Sequence, residues 1–224
     1  MKHVDRFLSL IDLEFKRKAN RALSIQMSAY MKDYFTFYGI QSQLRSDIFR
    51  EVSKMSPLKK VEEWWHLIDE LYRREEREYH YLALLSLKKV QKKLLKSDID
   101  KIEYLLLSHS WWDTVDFIAS NTVGYYFKLY PEEKSRMIEK WMSGDELWLK
   151  RTCLIFQLKY REDVDFSLLK SCIERTKNSK EFFLEKGAGW ALRQYSKFNP
   201  EEVRIFIENN SLPPVTMREA TKYL

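Results

Sequence analysis

Three residues break the apolar pattern of the helices that carry them, and each could do chemistry. Asp116 lies in the stretch Ser110-Trp111-Trp112-Asp113-Thr114-Val115-Asp116-Phe117-Ile118-Ala119. Residues four apart share a helix face, so Trp112, Asp116, Ala119 and Val123 form one stripe with a carboxylate in its middle. An ionised carboxylate in apolar surroundings is expensive unless it is paired or opens into a cleft. Arg151 falls inside the stripe Leu147, Leu154, Ile155 and Leu158. A guanidinium stays charged and needs an anion or water there. Two readings stand side by side: a functional arginine, or a structural ion pair with Asp116 or Glu146. Trp190 shares a face with Lys186, Arg193 and Lys197, while Leu184, Ala188, Ala191, Leu192 and Tyr195 make a core stripe opposite. Cations for phosphates and a flat ring for a base or sugar suit a nucleic-acid strand. The alternative is an indole covered by lysine stems as ordinary surface packing. Gly187 and Gly189 would let another backbone come close.

These residues need rigid elements to hold them. With 5 Gly and 5 Pro among 224 residues, helix breakers are scarce. No stretch alternates apolar and polar with period two, so the expected class is all-α without a sheet. Helices are expected over 1–18, with Phe7, Leu8, Ile11, Leu13 and Phe15 on its apolar side, and over 20–35. A loop at 35–41 turns at Gly39. Further helices follow over 42–54, from Ser56-Pro57 onward with Trp64 and Trp65, over 76–93 and over 97–107. The helix carrying Asp116 is expected to start at Ser110, with Ser110 as N-cap and Asp113 as its partner. Next come a helix from Pro131 to Ser143-Gly144, one capped by Asp145 and running to about Arg161, and one over 165–176. Ser179 caps 180–197, and Asn199-Pro200 starts another. After Pro213-Pro214 a last short helix opens, with Thr216 and Glu219 as a capping box. Asp116, Arg151 and Trp190 recur at intervals of roughly 35–40 residues, one helical pair each, near the repeat length of HEAT arrays. The expected architecture is therefore an all-α, HEAT-like helical-repeat solenoid, a single domain over 1–224 with a concave basic groove.

Composition narrows the partners. The formal net charge of +6 fits a polyanionic ligand, although a merely basic soluble protein has the same balance. Cys153 and Cys172 sit in apolar helical contexts and read as buried reduced thiols, not a disulfide framework. His3, His66, His80 and His109 show no metal-ligand spacing, so no metal and no cofactor are expected. Asp5, Arg6, Asp12 and Glu14 interrupt the N-terminal stretch as no signal peptide would allow, and no apolar run reaches membrane-spanning length. A cytoplasmic monomer is expected. The residues alone lead to a helical repeat, a nucleic-acid groove and one buried carboxylate.

The stretch Ser110 to Asp116 resembles the signature of the AlkD-like DNA alkylation repair glycosylases. So do Trp148-Leu149-Lys150-Arg151-Thr152-Cys153-Leu154-Ile155-Phe156-Gln157-Leu158-Lys159-Tyr160, Ser179 to Phe183, and Gly189-Trp190-Ala191-Leu192-Arg193. Tyr30-Met31-Lys32 and Phe37-Tyr38-Gly39-Ile40-Gln41 are similar too, so the likeness runs from about residue 25 to the end. It implies a HEAT-like solenoid cradling duplex DNA and hydrolysing the N-glycosidic bond of cationic N3- or N7-alkylated purines. The family's catalytic carboxylate would be Asp116, its groove tryptophans Trp112 and Trp190, and its groove arginine Arg151. Its DNA-contacting positions would include Tyr30, Gln41, Lys159, Arg193 and Lys197, and the cationic face adds Lys186. Two other functions compete: a non-catalytic binder of DNA structure, and a HEAT-type scaffold for a protein partner.

Overall fold

A computed structural model describes residues 2–224. Among them no strand forms, and an isolated backbone bridge in the loops pairs Thr36 with Glu76. The all-α class is as expected. The chain divides into two compact units, one ending at Leu94 and one beginning at Leu95.

The first unit holds α1 (Lys2–Lys18), α2 (Arg21–Tyr30), α3 (Ser42–Met55), α4 (Val61–Tyr72) and α5 (Arg77–Val90). Helix α1 buries Val4, Phe7, Leu8, Ile11 and Phe15. Leu13, expected on that face, is 60% exposed, because it lies about 200° round from Ile11. Phe7 packs edge-on against Phe49 of α3 and Trp64 of α4. Helix α2 ends at Tyr30 and not near 35, since Lys32 and Asp33 take φ of 56° and 58°. The Ser24 and Ser28 hydroxyls donate to the carbonyls of Phe37 and Phe35, tying α2 to the loop beyond it. Gly39 makes the expected turn with φ of 85°. The start of α5 holds this loop from below. Buried Glu78 accepts the backbone N–H groups of Tyr38, Gly39 and Ile40 at 2.9–3.1 Å. Buried Arg77 lies 3.8 Å over the ring of Phe35. The helix expected to open at Ser56-Pro57 opens instead at Val61. The Glu63 carboxylate accepts the N–H groups of Lys59 and Lys60 at 2.9 Å and fixes the start there.

The second unit holds α6 (Ile99–Leu107), α7 (Trp112–Phe117), α8 (Gly124–Leu129), α9 (Pro131–Ser143), α10 (Leu147–Ile155), α11 (Phe166–Thr176), α12 (Phe182–Tyr195), α13 (Pro200–Glu208) and α14 (Pro214–Ala220). A π-helical turn, Ile118–Val123, joins α7 to α8. Pro131 and Pro200 stand at first helical positions as expected. Several caps differ from expectation. Ser110 is not a cap: its hydroxyl donates to the Leu106 carbonyl, and Trp111 takes the N-cap position of α7. Glu146, not Asp145, precedes α10, which ends at Ile155. Ser179 accepts from the Glu181 N–H just outside α12. Thr216 and Glu219 form no capping box; the Thr216 hydroxyl donates to the Glu185 carbonyl of α12. The core gathers Val115, Ile118, Ala119, Val123 and Tyr126 with Trp141 of α9, Ile155 of α10 and Leu192 of α12. Helix α14 packs on α12 where Gly189 leaves room: a Cβ there would lie 2.6 Å from the Glu219 Cβ and 2.7 Å from the Thr216 carbonyl oxygen.

Candidate active site

Asp116 stands near the end of α7 with its side chain 16% exposed, facing Arg151 of α10, whose side chain is 4% exposed. The fork of Arg151 meets both carboxylate oxygens: Nε donates to Oδ1 and Nη2 to Oδ2, each at 2.8 Å. Its third nitrogen, Nη1, donates to the Phe183 carbonyl at the start of α12, at 2.5 Å. One arginine thus binds three helices together and holds a carboxylate in two directions. Of the two partners weighed from the sequence, Asp116 is the one that Arg151 takes.

Burial pushes the Asp116 carboxyl above the ordinary aspartate value. The Arg151 hydrogen bonds and charge pull it back down, and the neighbouring charge of Asp113 adds to the upward push; the net direction is up. The ionised carboxylate has given up much of its hydration and is held ready beside a fixed cation.

Trp112 opens α7 one turn before Asp116, and Trp190 sits midway along α12; both are half-buried. Trp111, Trp148 and Phe183 cluster with ring centroids 5.0–5.7 Å apart, one ring from the start of each of α7, α10 and α12. Trp111 is half-buried in this cluster. Gly187 faces the Arg151 side chain, while Gly189 admits the backbone of α14 as the sequence suggested.

The basic residues do not form one open row. Lys186 and Arg193 turn to Glu219 of α14, at 2.5 and 2.6 Å. Lys197 is exposed, donates to Gln194 and stands 5.0 Å over the ring of Tyr223. Lys159, also exposed, donates to Asn121 Oδ1 in the π-helical turn. Tyr30 and Gln41 belong to the first unit, where they line an open cleft of about 550 Å³ with Met27, Met31, Arg45 and Tyr81. Tyr30 is 71% exposed. Among the described residues no cluster of His, Cys, Asp and Glu suits a metal ion. Cys153 and Cys172 are free and buried.

Comparison with known proteins decides the family. A family model described as DNA alkylation repair enzyme matches residues 11–224. The chain belongs to the DNA alkylation repair enzyme family. One solved structure, a predicted DNA alkylation repair enzyme from Enterococcus faecalis, is 30% identical with a TM-score of 0.85, over 92% of this chain and 96% of that one. No curated protein sequence matches significantly. Membership gives this chain a role in DNA alkylation repair, with DNA as the family's substrate. Within this family fold, the sequence pattern missed Glu219, because a Thr-x-x-Glu spacing before a helix reads as a cap. It also missed the Phe183 carbonyl, which no side-chain pattern signals, and the π-helical turn.

Proposed function

We propose that this family member is a DNA glycosylase that hydrolyses the N-glycosidic bond of cationic N3- or N7-alkylated purines in duplex DNA. The observation that carries the proposal is the mostly buried Asp116 carboxylate, gripped through both oxygens by Arg151. An alkylated purine with a positive charge is already a good leaving group, so no general acid is needed. As the C1′–N bond breaks, the electron pair leaves with the base and positive charge develops on the sugar, as in other glycoside hydrolyses. A carboxylate fixed in place before the reaction stabilises that charge without reorganising. It also orients the attacking water and accepts its proton as the new C–O bond forms. Arg151 fixes the direction of Asp116, and the faces of Trp112 and Trp190 attract the cationic nucleotide by about 0.5–2 kcal/mol each. Lys159 and Lys197 meet backbone phosphates, and Tyr30 and Gln41 are the first unit's contacts to DNA. The whole chain, 1–224, is on this reading one HEAT-like catalytic domain that works as a cytoplasmic monomer without metal or cofactor.

The test is release of free methylated purines from alkylated duplex DNA by the wild type and by Asp116→Asn. Release that falls at least about a hundredfold in the variant, the scale of a lost acid–base group, at a temperature where both proteins are folded and with DNA binding retained, supports the proposal. Full activity in Asp116→Asn would overturn it. Binding without release in the wild type would favour the non-catalytic DNA binder.

A further inference from the structure

Helix α2 is ordered for reasons that lie outside it. It has 10 residues, and a helix shorter than about 12–15 residues is marginal in water without packing from elsewhere. None of its residues is buried, so an apolar face supplies little of that packing. Its ties run instead to the carbonyls of the next loop. The Asn20 N–H just before it donates to the Tyr38 carbonyl at 2.8 Å, and the Ser24 and Ser28 hydroxyls donate to Phe37 and Phe35 at 2.6 and 2.5 Å. Gly39 lies so close to its first turn that a Cβ would stand 2.1 Å from the Asn20 carbonyl oxygen. The same loop turns its N–H groups to α5. Glu78, fully buried, takes those of Tyr38, Gly39 and Ile40, and the Arg77 N–H donates to the Thr36 carbonyl at 2.9 Å. The loop ends at Gln41, the N-cap of α3, whose exposed side chain makes no capping bond. Two cleft-lining residues, Tyr30 at the end of α2 and Gln41 at the start of α3, therefore hang on one loop.

We infer that Glu78 is a positioning residue for DNA binding: it fixes loop 35–40, and through it α2 and the start of α3, so that Tyr30 and Gln41 stand in place before the duplex arrives. The inference rests on the proposed action on DNA, with Tyr30 and Gln41 as contacts, and deepens it by naming what makes those contacts preformed. Glu78 is fully buried and touches no ligand itself. Backbone donors converge on it, and each needs an acceptor once water is excluded. A carboxylate offers them two acceptor oxygens, whereas a carboxamide offers one and turns an NH2 group towards the rest. Loosening the loop lowers the fraction of molecules with both contacts in place, and apparent affinity falls by that fraction. The bond-breaking step depends on Asp116 and is untouched.

The test compares Glu78→Gln with the wild type as full chains, at a temperature where both are folded. Affinity for an unmodified duplex is expected to fall at least about tenfold, as for a loop that is competent about a tenth of the time. Single-turnover release at saturating alkylated DNA is expected to stay within about twofold, the pattern of lost binding with intact chemistry. The amides of Tyr38, Gly39 and Ile40 are expected to exchange their hydrogens faster. If Glu78→Gln does not fold, the double variant Ser24→Ala and Ser28→Ala carries the test. It cuts the hydroxyl ties of α2, leaves the Glu78 bonds whole, and is expected to lose affinity and keep release. Affinity unchanged in Glu78→Gln, or in the serine variant where that one does not fold, would overturn the inference. So would release at saturating DNA that falls as far as affinity does. Wild-type protein that binds DNA and releases no base would sink the glycosylase and leave the affinity and exchange arms to decide. Wild-type protein that does not bind DNA at low salt would sink both.

Discussion

Replacing Arg151 by Met is the sharpest probe of the site. It keeps the length and apolar stem of the side chain and removes three hydrogen bonds, two to Asp116 and one to the Phe183 carbonyl. What remains is a carboxylate that is mostly buried, 16% exposed, with no counter-charge facing it from α10. Breaking a buried pair from one side costs about 3–5 kcal/mol. For a chain of this size each kcal/mol lowers the melting temperature by about 2–4 °C, so a fall of about 6–20 °C is expected. The loss should depend on pH with a definite sign. Asp116 is already raised by burial, and Arg151 is what pulls it down, so removing Arg151 raises it further. A carboxyl raised in the folded state contributes stability while protonated and loses it as pH rises through its folded value. The Arg151→Met deficit should therefore be greatest at neutral pH and above, and shrink as the pH falls through the raised value. Base release in single-turnover assays should lose its acid limb at a higher pH than in the wild type, because the proposed mechanism needs Asp116 ionised. The assay is thermal unfolding from acid to neutral pH beside the pH profile of release. A deficit under about 1 kcal/mol, well short of the cost of a broken buried pair, or one that grows on acidification, would refute the claim that a buried ion pair holds the carboxylate.

Other expectations arise from the packing of the C-terminal helix and the thiols. Gly189→Ala places a methyl against Glu219 Cβ and the Thr216 carbonyl, and should destabilise by about 1–3 kcal/mol in denaturant melts, with α14 the first element to exchange its amide hydrogens. Glu219 is held down to about 2 by Lys186, Lys222 and Arg193, so its contribution is complete above the ordinary glutamate range and lost as pH falls through about 2. Acid unfolding of Glu219→Gln should therefore lack the part of the wild-type transition below the ordinary glutamate value, whereas equal acid profiles would contradict the pairing. Burial pushes the Cys172 thiol up to about 11 and Cys153 well above its usual range. Both should resist a thiol reagent at neutral pH in the native protein and react promptly in denaturant.

The helices were legible in the sequence because apolar residues recur with period 3.6 and each recurrence is local. Asp116 and Arg151 were legible for the opposite reason: each is a charge in a stripe that should have none. Their union, across 35 residues, was one of two possibilities until the fold brought α7 and α10 together. Local signals failed where a distant partner won. Ser110 satisfies a carbonyl behind it instead of amides ahead of it, and Thr216 bonds to α12 instead of its own helix. Glu219 repeats the lesson: α14 begins at Pro214, so Glu219 stands late in its helix, where three cations take its carboxylate. Lys186 and Arg193, read as an open cationic face, are fastened to that carboxylate. The π-helical turn escaped notice because one extra residue per turn changes no residue type, only the phase of the helix beyond it.

That turn has a consequence for how the gene can vary. Beyond it, α8 is fastened in place, with the Tyr160 hydroxyl on the Gly124 carbonyl at 2.6 Å and the Tyr126 hydroxyl on the Lys96 carbonyl at 2.8 Å. A single-codon deletion anywhere in 118–123 would let the turn close as ordinary α-helix. That closure would leave α7 and α8 in the same rotation, because a five-residue π turn covers about the arc of a four-residue α turn. A second inserted codon, with α8 fixed, would instead turn α7 by about 100° and shift it by about 1.5 Å. Trp112 and Asp116 would then face away from Arg151 while every neighbouring helix kept its sequence. The turn can give up its extra residue and keep the aim of the carboxylate, but it has no room to absorb another.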